Sequence, residues 1–562
     1  MLSLKAAVVR RWKDRGRGKL VRNGDTAKNN QLLCESVKYA VRQCILQLVL
    51  VGSIPTYQEL CQIITAQNVT NSTHSVPYIT NIDTLSIQQV ELLQDRGLQT
   101  NASALLSKIG RMDLPLKFHE LIPSLVNGVQ LAREAIQQQT ATDAVIMFRT
   151  IQYNSMTALE ALLSEMSSQR LLVDKKYRNE IATRHLGVVV EFALIPALDS
   201  DLSSANEDAV STLKYALITS GVVSYLMMSS FSKLVLEDSS MTNVIEHTLG
   251  LIHKFMSRWL PHVISQASTS NEEMMELLLI HCNFIAELQK SHALAFDRYL
   301  DPFLRLFYGS FVSIVEDKSV LTKQTPKALN TFVIAFLSFL TNAVNLSPWE
   351  SNNSSHEDNG NAHAHSATTW DDFFTPELFQ SLTQKLLLLC SCYIYTDNEE
   401  EHDDREYWTE NPEGFYQWEM QRSSEDDVGC AAQNLLLSLI ESPRAKTVIL
   451  PWFVGLLANG EAQKIATHVE AGSDVAKNEA LLLTCMPLGC RKSGVELQQE
   501  IIAQWDAVLT GAGLAGSILE SFPGFNFQSW FDAVLGPGLA ILLESDSKKV
   551  RYTGINYSLL FY

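Results

Sequence analysis

Several residue clusters in this chain carry groups that could do chemistry. His356, His363 and His365, with Glu357 and Asp358, offer the imidazole and carboxylate donors that hold zinc. They sit in a Ser/Asn/His run with too few apolar residues to fold and no opposing ligand, so the spacing predicts a solvated loop. Cys390-Ser391-Cys392 places two thiols in an apolar helical stretch, the setting of core cysteines rather than of a redox pair. Gly511-Ala512-Gly513 and Gly536-Pro537-Gly538 lack a following Gly-Lys-Ser/Thr and a preceding strand, so they read as helix breaks rather than phosphate loops. No nucleophile elbow or kinase signature is present. The chain is therefore not expected to be an enzyme, and neither a metal nor a cofactor is implied.

Residues 396–427 suggest a different chemistry, binding by charge. They hold thirteen acids and two bases, a net charge of −11. A charge run alone is ordinarily a solvated face, but this one is interleaved with Tyr407, Trp408, Phe415, Tyr416 and Trp418. Large rings leave water only by packing on a surface. The segment is thus expected to be anchored while presenting carboxylates, among them Glu399, Glu400, Glu401, Asp403 and Asp404, to a basic partner. The whole chain is acidic at −18, which disfavours direct nucleic-acid binding and suits basic protein partners. Residues 1–22 run the other way, with eight Lys/Arg and one acid, a composition that a mitochondrial presequence could share.

The elements that must carry these groups are helices. At 562 residues the chain exceeds a single hydrophobic core. Its apolar fraction of 46% excludes global disorder, and Gly and Pro number only 26 and 16, against an ordinary combined usage of about 12%. Apolar residues recur at three and four spacing over Ala102–Ile109, Leu121–Ala135, Thr157–Met166, Met274–Gln289, Glu377–Tyr395, Ala431–Ile440 and Gly513–Ser521. Thr375-Pro376-Glu377 reads as a capped helix start, and Ser442-Pro443 as a break. Two uncharged stretches, Tyr215–Phe231 and Ala328–Trp349, are long enough to invite a membrane reading. Both contain Asn, Ser or Thr and are expected to be buried repeat helices, without membrane insertion. The nine cysteines are scattered, odd in number and free of Cys-x-x-Cys pairs, which points to reduced thiols in the cytosol or nucleus.

The acidic segment, through Trp408, Asn411-Pro412-Glu413-Gly414-Phe415, Glu419 and Asp426-Asp427, resembles a signature of the importin-beta (karyopherin) superfamily of nuclear transport receptors. Other stretches resemble the importin eleven branch. Lys108-Ile109-Gly110-Arg111-Met112-Asp113, then Pro115 and Glu120-Leu121-Ile122-Pro123-Ser124-Leu125, is similar to its "K-I/V-A-R-x-D-x-P … W-P-E-L-I-P-x-L" repeat, with Phe118-His119 in place of Trp-Pro. Ser168-Gln169-Arg170-Leu171, Phe373-Phe374-Thr375-Pro376-Glu377, and Phe527-Gln528-Ser529-Trp530-Phe531 through Lys548-Lys549-Val550-Arg551 match further family segments in order. Leu4-Lys5, Val9 and Trp12 resemble the second half of the family's amino-terminal domain, which accounts for the basic start without a presequence.

The resemblance implies an all-α HEAT-repeat (armadillo-type) superhelical solenoid with a remnant amino-terminal domain at 1–30. Repeats would follow over 31–346 with an insertion at about 47–97, then a disordered low-complexity loop at 347–370, then repeats over 371–562 with the acidic insert. Relatives extend beyond both ends, so truncation at each end is expected. The resemblance also implies a carrier that shuttles between cytoplasm and nucleus, binds cargo proteins and nucleoporins, and releases cargo on binding the GTP form of Ran. Ran and partner contacts would fall at Lys5, Trp12, Arg111 and Asp113 and on the acidic positions already named. The alternatives are a HEAT scaffold for another complex without Ran binding, and a membrane protein built on the two uncharged stretches.

Overall fold

The computed structural model describes residues 41–53, 86–114, 120–138, 141–167, 172–200, 207–236, 239–265, 272–316, 327–345, 372–395 and, with gaps, 427–449. Every regular element among them is helical. The chain divides into two units, Met1–Ser229 and Ser230–Tyr562.

The first unit begins with α1 (Val41–Val51), α2 (Ile87–Gln94) and α3 (Arg96–Asp113). It continues with α4 (Leu121–Gln138), α5 (Thr142–Ser167) and α6 (Leu172–Val189). A π turn, Val190–Leu194, and a last short turn, Ile195–Leu198, prolong α6. The unit boundary falls within α7 (Glu207–Leu236). Helix α3 packs on α5, α4 on α6, and α4 on α5, the stacking of successive repeats in two rows. The local signals are ordinary capping chemistry. Ser86 and Gln89 form a reciprocal capping box at α2, and the Asp95 carboxylate accepts from the Leu98 N–H at 2.9 Å to open α3. Helix α3 stops because Leu114 precedes Pro115 and takes an extended conformation.

Amide side chains join these helices end to end. The last carbonyls of any helix lack intrahelical donors. Gln99 Nε2 donates to Leu48 O of α1 at 3.2 Å and to Leu92 O of α2 at 2.8 Å, and Asn154 Nδ2 of α5 donates to Leu93 O at 3.0 Å. Part of the segment expected as an insertion, residues 47–97, therefore supplies core: Leu93 packs with Ala132, Met147, Phe148 and Ile151.

The second unit holds α8 (Ser239–Ser265), α9 (Glu272–Ser291), α10 (Leu300–Glu316), α11 (Lys327–Asn345), α12 (Pro376–Tyr395) and α13 (Val428–Glu441). Helices α9, α11 and α13 form one row and α8, α10 and α12 the other, with α8·α9, α10·α11 and α12·α13 packed across. Its core is aromatic: Phe303, Phe307 and Phe311 of α10, one turn apart, are fully buried, as are Phe332, Phe336 and Phe339 of α11. The Leu378 N–H donates to Thr375 Oγ1 at 3.3 Å, as the capping reading of Thr375-Pro376 expects. Helix α13 ends at Ser442, extended before Pro443.

The expected helices from Ala102 to Ile440 all fall inside observed ones, while Gly513–Ser521 lies outside the described residues. Tyr215–Phe231 lies within α7 and Ala328–Asn345 of the second uncharged stretch within α11, residues 346–349 lying outside the described ones; both supply buried side chains such as Val222, Met227, Phe336 and Leu340. By length and composition Lys176–Leu198 could cross a membrane; half of its apolar window is buried in the first unit. Cys44, Cys282 and Cys430 are free thiols, and burial pushes Cys44 up to about 11.

Candidate functional site

The repeat that carries Arg111 and Asp113, two of the expected Ran contacts, is the α3–α4 pair. Its motif letters are packing letters. Leu121, Ile122 and Leu125 are buried, and Pro123 sits in the first turn of α4, where its missing N–H is not needed. Glu120 accepts from Gln43 Nε2 at 3.1 Å, tying α4 to α1. Gly110 stands where a Cβ would meet the tip of the Leu162 side chain of α5 and lie 3.1 Å from Leu121 Cδ2, so α3 and α5 approach closely at this position. What α3 leaves to solvent is a stripe of Asn101, Ala104, Leu105 and Lys108, with Leu105 41% exposed. That stripe is the surface this repeat can offer a partner.

The individual site residues are distributed as follows. Arg111 and Asp113 lie in the last turn of α3, where the backbone alone is described. Asp427 is the N-cap of α13, its carboxylate accepting from the Cys430 N–H at 2.7 Å, so it carries a structural role at the edge of the acidic segment. Lys5, Trp12, Glu399, Glu400, Glu401, Asp403, Asp404, Trp408, Glu413, Phe415, Glu419 and Asp426 lie outside the described residues, as do His356, His363 and His365. Among the described residues no cluster of His, Cys, Asp or Glu could hold a metal ion.

Sequence reasoning missed a cleft in the first unit. It is a cavity of about 390 Å³ bounded by the α2–α3 junction, α4, α5, the end of α6 and the start of α7. Arg96, Arg133 and Arg149 line it together with Tyr153, Asn154 and Tyr215, and among the described residues no Asp or Glu does. Arg133 also lines an adjoining hollow with the exposed Glu191 and Asp199. Tyr215 keeps part of its ring exposed while its hydroxyl is buried near Thr219, and Arg133 Nε is buried without a hydrogen-bond partner. Burial pushes the Tyr215 phenol well above its usual range, against smaller opposing effects of Thr219 and the Arg133 charge. Its O–H is therefore retained as a donor. Nothing in the sequence marks this site, because its residues come from six separate helices.

The wall of the cleft has its own local logic. Pro196 has no N–H to give to the carbonyl four residues earlier, Phe192 O. Gln152 of α5 supplies the missing donor, with Nε2 2.9 Å from Phe192 O, and the π turn beside it accommodates the mismatch. Gln152→Leu should therefore cost the first unit about 1–3 kcal/mol by leaving a carbonyl orphaned. Pro196→Ala in that background restores an N–H and should recover part of the loss. A double-mutant cycle on denaturant unfolding tests this, and strictly additive effects would show that the two residues are not coupled.

Helices stacked in two rows, with a motif of the repeat type in α3–α4, describe a fold that the solved structures contain. The structure of Lph2, described as a novel bidirectional nuclear transport receptor in S. cerevisiae, superposes with a TM-score of 0.52 over 93% of this chain at 14% sequence identity. The helical-repeat fold is shared with that protein. The chain spans 55% of the length of that receptor. No protein-family model matches the sequence, and no curated protein matches it. At this identity the packing pattern is shared while most side chains differ, so the all-α helical-repeat architecture is common ground and binding residues must be argued one by one.

Proposed function

We propose that this chain acts as a nuclear transport receptor of the importin-beta superfamily. On this reading it is not an enzyme: it binds cargo proteins, contacts nucleoporins and shuttles between cytoplasm and nucleus. Binding of the GTP form of Ran releases the cargo. The observation that carries the reading is the fold shared with a transport receptor over 93% of the chain, in a sequence whose α3–α4 and acidic segments also resemble importins. Ran would meet the α3–α4 repeat and the acidic residues 396–427, whose charge of −11 suits a basic surface.

Release by Ran is a coupling of two binding free energies, typically about 1–3 kcal/mol, so Ran-GTP should weaken cargo binding by roughly 5–150-fold. The test is a pull-down of this chain with Ran loaded with a non-hydrolysable GTP analogue or with GDP. The GTP form should be retained and the GDP form lost. Equal retention of the two, or retention of neither, would point to the scaffold alternative. The Leu105→Glu variant should reduce the retained fraction if the exposed stripe of α3 belongs to the contact.

A further inference from the structure

The arginine-lined cleft of the first unit shares no residue with the positions proposed to meet Ran. The chain is acidic overall at −18, yet three arginines from α3, α4 and α5 converge here, and among the described residues no carboxylate lines the same cavity. Arg96 and Arg149 are exposed at the mouth, and Arg133 is half-buried deeper in. The guanidinium of Arg133 makes no ion pair among the described residues, and its Nε is buried without a hydrogen-bond partner. The buried hydroxyl of Tyr215 belongs to the same wall. All of these groups are donors. A cavity that gathers donors and positive charge is complementary to an acceptor-only anion.

We propose that this cleft binds a phosphoryl group carried on a serine or threonine side chain of a protein segment, with Arg133 and Tyr215 at the floor and Arg96 at the mouth. The grading from exposed to buried donors fits a group that enters end-on. A phosphoryl group brings nearly two negative charges and three acceptor oxygens, whereas a carboxylate brings one charge and two. The walls are held ready: Gln152 and Asn154 spend their amide N–H groups on Phe192 O and Leu93 O, so neither helix end must reorganise when the ligand arrives. The inference goes beyond the transport reading and does not depend on Ran.

The experiment uses the full chain and a fluorescent Gly/Ala peptide with one central phosphoserine, compared with the same peptide carrying serine or glutamate, by anisotropy. The phosphopeptide should bind saturably and the other two at least about tenfold more weakly. Arg133→Gln should weaken phosphopeptide binding by about tenfold or more, and Arg133→Lys, which keeps the charge without the planar fork, should fall between. Arg184→Gln, on an exposed pair with Glu180 outside the cleft, should change nothing. If Arg133→Gln does not fold, Arg96→Gln at the exposed mouth carries the same expectation. Equal binding of the serine and phosphoserine peptides, or wild-type affinity in both Arg133→Lys and Arg96→Gln, overturns the proposal. Inorganic phosphate should displace the peptide. A protein that binds inorganic phosphate but not the peptide overturns the assignment to a protein segment.

Discussion

A Phe307→Ala protein is expected to lose about 3–5 kcal/mol of stability in its second unit. Phe307 is fully buried on α10 and meets Phe339 of α11 at a ring-centroid distance of 4.6 Å, edge to face, and Phe336 at 5.3 Å. Phe303, one turn earlier, lies 6.4 Å away and passes the contact on to Phe296 at 6.0 Å. Truncation therefore removes both the apolar area of one ring and its share of several aromatic pairs, each of which adds roughly 0.5–1.5 kcal/mol beyond area alone. The neighbours are rings on rigid helices and can fill little of the hole, which places the cost in the upper part of the usual range. In a stacked-repeat protein the loss should stay local. Hydrogen exchange should show faster opening of α10 and α11, with the amides of α3–α5 in the first unit unchanged. Unchanged protection in α10 would mean that the Phe307 ring is not the keystone of this core.

Much of this architecture was legible in the sequence because it is local. Apolar spacing of three and four gave the helices from Ala102 to Ile440, Thr375-Pro376 marked the start of α12, and Ser442-Pro443 marked the end of α13. The uncharged stretches in α7 and α11 read as buried helices for the same reason: a helix packed on several sides has no polar face to show. What stayed hidden depends on long-range meetings. Gln152 looks like any polar helix residue until Pro196, 44 positions later, leaves Phe192 O for it to serve. Arg133 looks like a solvated charge until α2, α5, α6 and α7 close around it. The motif that most resembled importins proved to be core-forming, since Leu121, Ile122 and Leu125 are buried and Gly110 is pressed against α5. It reports the fold more than the binding surface, and of the acidic positions Asp427 alone is described, as a helix cap.

Replacing Gly52 with Ala should be nearly as damaging to the first unit, at about 2–4 kcal/mol, although it adds only a methyl group. Gly52 follows α1 with φ at 63°, the left-handed conformation that closes a helix, and its N–H returns to Leu48 O at 3.1 Å. An L side chain pays about 1–2 kcal/mol for that conformation by itself. The added Cβ would also lie 2.5 Å from Gln89 O and 2.5 Å from Leu93 Cγ. The first of these is backbone of α2 and cannot swing aside as a side-chain tip could, so α2 must move. Moving α2 strains what depends on it: the Gln99 bonds to Leu48 O and Leu92 O, the Asn154 bond to Leu93 O, and the floor that Leu93 contributes to the arginine cleft. Gly110→Ala provides the contrast. It is helical, and the groups it meets are the tips of Leu162 and Leu121, which can yield, so its cost should stay below about 1.5 kcal/mol. Thermal unfolding of the two variants, with hydrogen exchange over α1–α3, separates them. If Gly52→Ala melts with the wild type, or if Gly110→Ala proves the more harmful, then the close approach of α1 and α2 does not hold this end of the unit together.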